Sequence, residues 1–542
     1  MARTAGAWAL YAAALIVAMS LASCGAGDDK TTVIQQGGGS PPGIPLSVTA
    51  IPFGSGRVLI DWDFEPLATS YKVYWSTAPG VTTGASDISV LSAPFHHECL
   101  SNGTTYYYAL SAVNPFGESA LSNEASAAPS ELGVLDWTFG LGGVVFYDGG
   151  AQSGDAGAGI AVDSSGRILV AGWVSNFAGN SDMALWRYQK NGTPDTSFGI
   201  GGVAIHGNAA GGDGGDEGID LVLDAGGRVL VSGASEQASG FTAMTIWAFD
   251  STGMLDLSFG SGGFVTSSGP AGSLGGNARG IALDGAGRIF VAGVTADAVG
   301  GDMALWAYDL SGVLDATFGT SGIVKHHNAA GGDGDDSASD VVVDTQGRIV
   351  VVGRSRGPDR GAGFSPDMVI WRFDATGSLD PTFGNGGIVA WDSGVGQPSD
   401  PDWAESVAMD AGGRILVCGS SNTSLGNLDM MIWAYDDSGN PDLSFGLGGI
   451  VRGVNPSGGS SGQDGVSLTF DSQDRILVLG STFVGMTIWR YSSSGALDTT
   501  FGNGGVLIEC CSSTGFSVTL DPCERVMITG ALGNDMAIWR YH

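Results

Sequence analysis

The chain has 542 residues, 92 of them glycine, and carries 55 acidic against 22 basic side chains, a formal net charge of −33. A field of that sign repels polyphosphate, which argues against nucleic acid as a partner and against an anionic bilayer surface. Glycine far above the usual share of roughly 7%, with no Gly-X-Y period and with apolar runs throughout, points to many tight turns rather than to collagen.

Residues 1–23 read as an export signal. Arg3 supplies a short positive start, and Ala5 to Ala22 is almost wholly apolar yet too short for a comfortable membrane span. The stretch ends in Leu21-Ala22-Ser23-Cys24-Gly25. This ending resembles the lipobox of bacterial lipoproteins, which implies cleavage before Cys24, lipidation of that cysteine, and an exported, lipid-anchored protein. Gly25 in place of aspartate implies the outer membrane or cell surface as the destination. Residues 24–43 are Gly, Ser, Pro, Gln and Asp with few apolar anchors, and read as a flexible tether.

Residues 44–130 change character. Val58, Ile60 and Trp62 alternate with their neighbours, as do Tyr71, Val73 and Trp75, and Tyr106, Tyr108, Leu110 and Ala112 form a third run. Period-two alternation between turn signals predicts an antiparallel β-sandwich. The segment resembles a fibronectin type III domain: Trp62 matches its core tryptophan, and Leu100-Ser-Asn-Gly103-Thr-Thr-Tyr106 matches the approach to its tyrosine corner. The resemblance implies a spacer or a protein-binding module. His96-His97-Glu98-Cys99 offers metal-ligating residue types, but neighbours on one strand point apart, and a loop sequence without metal is expected.

Residues 131–542 hold a unit of about sixty residues that recurs seven times. One copy reads Gly159-Ile-Ala-Val-Asp163, Gly166-Arg167-Ile-Leu-Val-Ala-Gly172, Asp182-Met-Ala-Leu-Trp-Arg-Tyr188, Asp195-Thr-Ser-Phe-Gly199. A fixed period of short apolar runs and Gly-rich turns is the mark of a repeat architecture. Met183 and Leu185 face one way, and Ala184, Trp186 and Tyr188 the other, so both faces of each sheet are apolar and each must lie between neighbours. Small sheets packed radially form a β-propeller. A linear stack would need polar caps on its end repeats, whereas the last copy keeps Met536, Ile538 and Trp539 up to His542. The repeats resemble the delta-60 repeat family of bacterial proteins, with a strand–turn–strand ending in Val-Ala-Gly and a Leu-Asp-x-x-Phe-Gly-x-Gly-Gly segment. They share with NHL propellers the Gly-Arg strand pair by pattern only. The resemblance implies a propeller and carries no activity. The expected fold is therefore all-β, a seven-bladed β-propeller preceded by a fibronectin type III-like β-sandwich. The segment Leu135 to Val145 precedes the first full repeat, and Val144 to Phe146 is expected to supply the fourth strand of the sheet made from about Phe516 to Tyr541. The repeated tryptophans are expected to be packing residues between sheets, and the turn aspartates (Asp163 and its six counterparts) and the arginines four residues on are expected to be structural.

Chemistry needs an unrepeated constellation, and the chain shows no Gly-x-Ser-x-Gly elbow, His-Glu-x-x-His pair or P-loop; no catalytic residue is assigned. The best candidate site is a pair of near-identical loops. Asn208-Ala-Ala-Gly-Gly-Asp213-Gly-Gly-Asp216 returns as Asn328-Ala-Ala-Gly-Gly-Asp333-Gly-Asp335-Asp336, with His206 and His326 at equivalent places. Asp213, Asp216, Asp333 and Asp336 on glycine-rich backbone are candidate calcium ligands, and no other cofactor is indicated. Five cysteines besides Cys24 leave an odd number in an oxidising compartment. Cys418 reads as a buried thiol, and Cys510 or Cys511 is expected to bridge to Cys523 within the last repeat. The expected role is non-enzymatic: a binding or scaffold module of the cell envelope whose ring meets an extracellular protein or glycan. The alternative is a propeller enzyme acting on a polysaccharide, for which an unrepeated acidic or histidine pair converging in the central channel would speak.

Overall fold

The structure, a computed structural model, describes residues 40–542 apart from 54–55, 130–133, 151–153, 177, 298–299, 333, 358–365, 392–400, 423–427, 454–461, 483–484 and 511–512. Cys24 and the export signal lie outside the described residues. The described residues contain no helix.

In the N-terminal module, strands Thr49–Pro52, Val58–Asp61 and Phe95–His97 form one sheet, and Ser70–Ser76, Ser86–Val90, Tyr106–Asn114 and Gly117–Glu118, with Ala125–Ala127 beside Tyr106–Asn114, form the other. The alternating residues named above meet between them: Val58, Ile60, Trp62, Tyr71, Val73, Tyr108 and Leu110 share one buried core. The backbone N–H of Ser101 donates to the Tyr106 hydroxyl at 3.0 Å, which closes the corner before the long strand. His97 belongs to this core, 3.1 Å from the Tyr108 hydroxyl, and burial pushes its pKa down to about 4.

Beyond it, the described residues form seven antiparallel four-stranded sheets, a β-propeller. Their first strands, numbered here as sheets one to seven, are Ala156–Val162, Gly211–Leu223, Gly275–Leu283, Asp336–Val343, Asp402–Met409, Gln463–Phe470 and Ser513–Leu520. Each first strand touches the first strand of the next sheet, and that of sheet seven touches that of sheet one, so the cycle closes around an axis. The seven apolar cores lie between consecutive sheets. Met183 and Leu185 pack toward sheet two with Leu221 and Trp247, whereas Ala184, Trp186 and Tyr188 pack toward sheet seven with Met527 and Ile538. The repeated tryptophans, Trp186, Trp247, Trp306, Trp371, Trp433, Trp489 and Trp539, are all fully buried in these cores.

Closure follows the phase of the repeats. The fourth strand of sheet seven is Val144–Tyr147, from the start of the ring, paired with Asp535–Tyr541 in the register Val144 to Trp539 and Val145 to Ile538. Asp136 stitches the same junction. Its carboxylate lies 2.7 Å from the Arg540 guanidinium, 3.2 Å from His542 Nε2 and 2.7 Å from Arg57 of the N-terminal module. Burial opposes its ionisation, but the His542 hydrogen bond and the Arg540 charge outweigh that and hold it well below the usual carboxylate range.

The disulfide expectation is corrected here. Cys523 is bonded to Cys99 of the N-terminal module, 424 residues away, rather than to Cys510 or Cys511. Cys523 sits in the hairpin turn of the last repeat, and that rim faces the loop carrying Cys99, an apposition that only the folded ring creates. Cys510 ends the strand Val506–Cys510, and Cys511 lies outside the described residues. Cys418 is a buried free thiol, as expected.

Candidate functional site in the central channel

In the paired acidic loops, the buried carboxylates hold backbone. Asp216 is buried in the innermost strand of sheet two, and its carboxylate accepts the backbone N–H of Asn208 at 2.7 Å. Asp336 is buried at the same place in sheet four and accepts the N–H of Ala329 at 3.1 Å. Asp155, at the matching place in sheet one, does likewise for Gly149 and Ser175. These carboxylates cap the loop that enters the innermost strand. Asp213 is exposed, and Asp333 lies outside the described residues. Among the described residues no group of three or more His, Cys, Asp or Glu is placed to hold a metal ion. His206 accepts from the Trp247 indole N–H at 3.2 Å, a packing role.

Unrepeated chemistry lies on the axis. Every innermost strand shifts register against its neighbour at an equivalent point, between Gly157 and Gly159 in sheet one, Gly218 and Asp220 in sheet two, and at the corresponding places around the ring. A β-bulge leaves one extra residue and re-aims its side chain. The extra residues are Ala158, Ile219, Arg279, Ser339, Glu405, Val466 and Phe516, and all seven line a cavity of about 330 Å³ on the axis. No two of them are alike, in a chain whose scaffold positions repeat almost letter for letter. The channel is where the repeats differ.

In sheets two and four the next residue is an aspartate that bonds to the neighbouring sheet. Asp220 accepts the N–H of Leu221 at 2.8 Å and, from sheet three, that of Ile281 at 3.1 Å. Asp340 accepts the N–H of Val341 at 2.7 Å and, from sheet five, that of Val407 at 2.9 Å, with the Ser406 hydroxyl at 3.1 Å. Gly159 and Gly280 occupy the same position in sheets one and three because a Cβ there would lie 2.9 Å from the Cα of Asp220 and of Asp340. Burial, with the charge of Asp340, pushes the Asp220 pKa up to about 7, and burial pushes Asp340 up to about 6.

Glu405 differs from both. Among the described residues nothing donates a hydrogen bond to its carboxyl, and burial raises its pKa against the opposing charges of Arg279 and Arg354. Trp173 and Phe516 meet at the channel with ring centroids 6.4 Å apart and planes tilted by 48°. A cavity lined by a carboxyl without a hydrogen-bond donor, a guanidinium and an aromatic pair has the groups to bind a polar ring.

Two stretches match a family model. Residues 164–198 and 347–383 fit the model described as "Domain of unknown function (DUF5122) beta-propeller". Among curated proteins, the chain is 37% identical over 78 residues to an amylopullulanase of Thermoanaerobacter thermohydrosulfuricus, and 33% identical over 90 residues to that of Thermoanaerobacterium thermosulfurigenes. These matches cover 14% and 16% of this chain but 5% of either relative, so the chain spans about one twentieth of the relatives' length. Among solved structures, a Fn3-like protein from Clostridium thermocellum is 27% identical, matched over 98% of its length and 17% of this chain, with a TM-score of 0.15. A polysaccharide lyase described as an ulvan lyase is 12% identical over 72% of this chain and 94% of its own, with a TM-score of 0.42. The β-propeller accords with the family model.

Sequence reasoning placed its candidate site on the paired acidic loops and did not single out the channel. Glu405, Arg279, Trp173 and Phe516 were legible only as the positions at which aligned repeats disagree.

Proposed function

We propose that the protein is an exported, lipid-anchored, polysaccharide-acting enzyme, with the central channel of a seven-bladed propeller as its site. In this reading Cys24 carries the lipid at the outer membrane or cell surface, residues 44–130 form a fibronectin type III-like domain, and residues 131–542 form the ring. The single observation behind it is the unrepeated channel set, with Glu405 free to transfer a proton beside the Trp173–Phe516 pair. Aromatic faces stack on the apolar face of a sugar ring, and a carboxyl whose pKa burial has raised is suited to general acid–base work. Asp220 and Asp340 brace the innermost strands and keep the wall polar. The amylopullulanase similarity, short as it is, carries the name of an activity on polysaccharide.

The reading of the ring as a non-enzymatic binding module draws on a different observation: both oxygens of Asp220 and of Asp340 are already engaged by backbone N–H groups. A panel of polysaccharides separates the two. Product formation by the full chain should fall by a factor on the order of 10² or more in Glu405→Gln, the usual weight of a general acid–base, with melting unchanged. Binding without turnover on every member would leave the module reading. Turnover unaffected by Glu405→Gln would remove the channel from the mechanism.

A further inference from the structure

The cations of this chain are mostly spoken for. The seven arginines after the hairpin turns, from Arg167 to Arg525, each pair with the turn aspartate four residues earlier. Arg187, Arg372, Arg490 and Arg540 pair with the aspartate of the Leu-Asp-x-x-Phe-Gly segment or, in sheet one, of its Pro-Asp counterpart. Arg279 and Arg354 are different. Both are exposed, and neither makes a hydrogen bond or an ion pair among the described residues.

Their positions are also unrepeated. Arg279 is the bulge residue of sheet three and lines the channel. Arg354 follows the strand glycine Gly353 in sheet four, the place that Trp173 holds after Gly172 in sheet one. Trp173 lines the channel, and the charge of Arg354 reaches Glu405. The channel is thus two-sided: aromatic on sheets seven and one, and cationic at Arg279 of sheet three, with Arg354 of sheet four within charge range of Glu405 on sheet five.

We propose that the channel takes an acidic glycan, its oxyanions held by Arg279 and Arg354 and a sugar face stacked on Trp173 and Phe516. This rests on the polysaccharide reading above and names its substrate class. Guanidinium forks match carboxylate and sulfate oxygens in geometry, and they bind these groups as charge-assisted hydrogen bonds. The overall charge of −33 does not forbid it. At physiological ionic strength the Debye length is about 8 Å, so distant acidic residues are screened while the two arginines act at contact. A neutral glycan would leave both guanidinium groups without an oxyanion to bind.

The test is calorimetric titration of the full chain with a uronate oligosaccharide, a sulfated oligosaccharide and a neutral oligosaccharide of equal length, at low and high salt. The acidic ligands should bind at least about tenfold tighter than the neutral one, a difference of about 1.4 kcal/mol. High salt and the Arg279→Ala/Arg354→Ala variant should both erase that preference. The uronate and sulfate arms tell which oxyanion is read. Trp173→Ala should weaken acidic and neutral ligands alike. Equal affinity for neutral and acidic ligands, or a preference that survives loss of both arginines, overturns the acidic class while a Trp173-dependent signal keeps the channel as a glycan site. Absence of binding in all three arms overturns the polysaccharide reading with it.

Discussion

At the scale of single residues, the repeats conserve a balance of charge rather than one pair. The aspartate of the Leu-Asp-x-x-Phe-Gly segment always faces a guanidinium. Where arginine follows the tryptophan, that arginine reaches it, as Arg187 does Asp195 at 2.8 Å. Where alanine stands there, the turn arginine reaches across instead, as Arg228 does Asp256 at 3.0 Å and Arg414 does Asp442 at 3.3 Å. The same arginines lie over the phenylalanine of the segment, Arg187 at 4.4 Å from the Phe198 ring centre and Arg414 at 5.3 Å from Phe445. The channel aspartates have no such partner. A carboxyl whose pKa is higher folded than unfolded contributes its full stabilisation below its unfolded pKa and loses it as pH rises through the folded value. For Asp220 and Asp340, with folded values of about 7 and 6, the loss begins above about pH 4, the ordinary carboxylate range. The wild type should therefore lose melting temperature relative to Asp220→Asn/Asp340→Asn as pH rises from about 4 to about 7. Melts across that range check this, and a constant difference between the two proteins would contradict the raised values.

At the scale of elements, each sheet is a short meander with two apolar faces, and only a closed ring covers both. The Phe-Gly turn makes the fourth strand possible: Gly199 has φ of 51°, and a Cβ there would run into the carbonyl of Val203. The closing strand rests ring closure on four residues. Val145 is 6% exposed and packs between sheets seven and one, whereas its neighbour Phe146 is 44% exposed. Val145→Asp should cost at least about 3 kcal/mol, the range that an unpaired buried charge produces. Phe146→Asp, on the opposite side of the same strand, should change stability by less than about 0.5 kcal/mol. Chemical denaturation of the two variants makes the comparison. Equal losses would mean that the strand does not pair with Asp535–Tyr541 in the register that turns Val145 inward.

At the scale of the whole molecule, the N-terminal module is fastened to the ring at the ring's own closing point. Arg57 enters the Asp136 cluster, Glu98 lies 3.9 Å from Arg525, and Cys99 is bonded to Cys523. The module is thus fixed to sheet seven by a covalent bond and by ion pairs. The bond closes a loop of 424 residues and so removes much freedom from the unfolded chain. Cys99→Ser/Cys523→Ser should lower stability by about 2–4 kcal/mol. A reducing agent should bring the wild type down to the same value and leave the variant unchanged. A variant as stable as the oxidised wild type would show that this bond adds nothing to closure.

The sequence by itself determined the all-β class, the propeller, the phase of its closing strand and the burial of the repeated tryptophans. Each of these rests on periodicity, and a two-faced apolar strand repeated at a fixed interval leaves few other ways to cover its faces. Tertiary structure decided the rest. Asp216 and Asp336 look like ligands in a linear reading, because their spacing on glycine-rich loops suits a hard cation; folding turns them inward to cap backbone N–H groups. Cys99 and Cys523, and Glu405, Arg279, Arg354 and Trp173, belong together only once the ring has closed. Contact between residues hundreds of positions apart leaves no local pattern of hydrophobicity or turn chemistry along the chain, and the channel residues are set by what they face across the axis rather than by their neighbours in sequence.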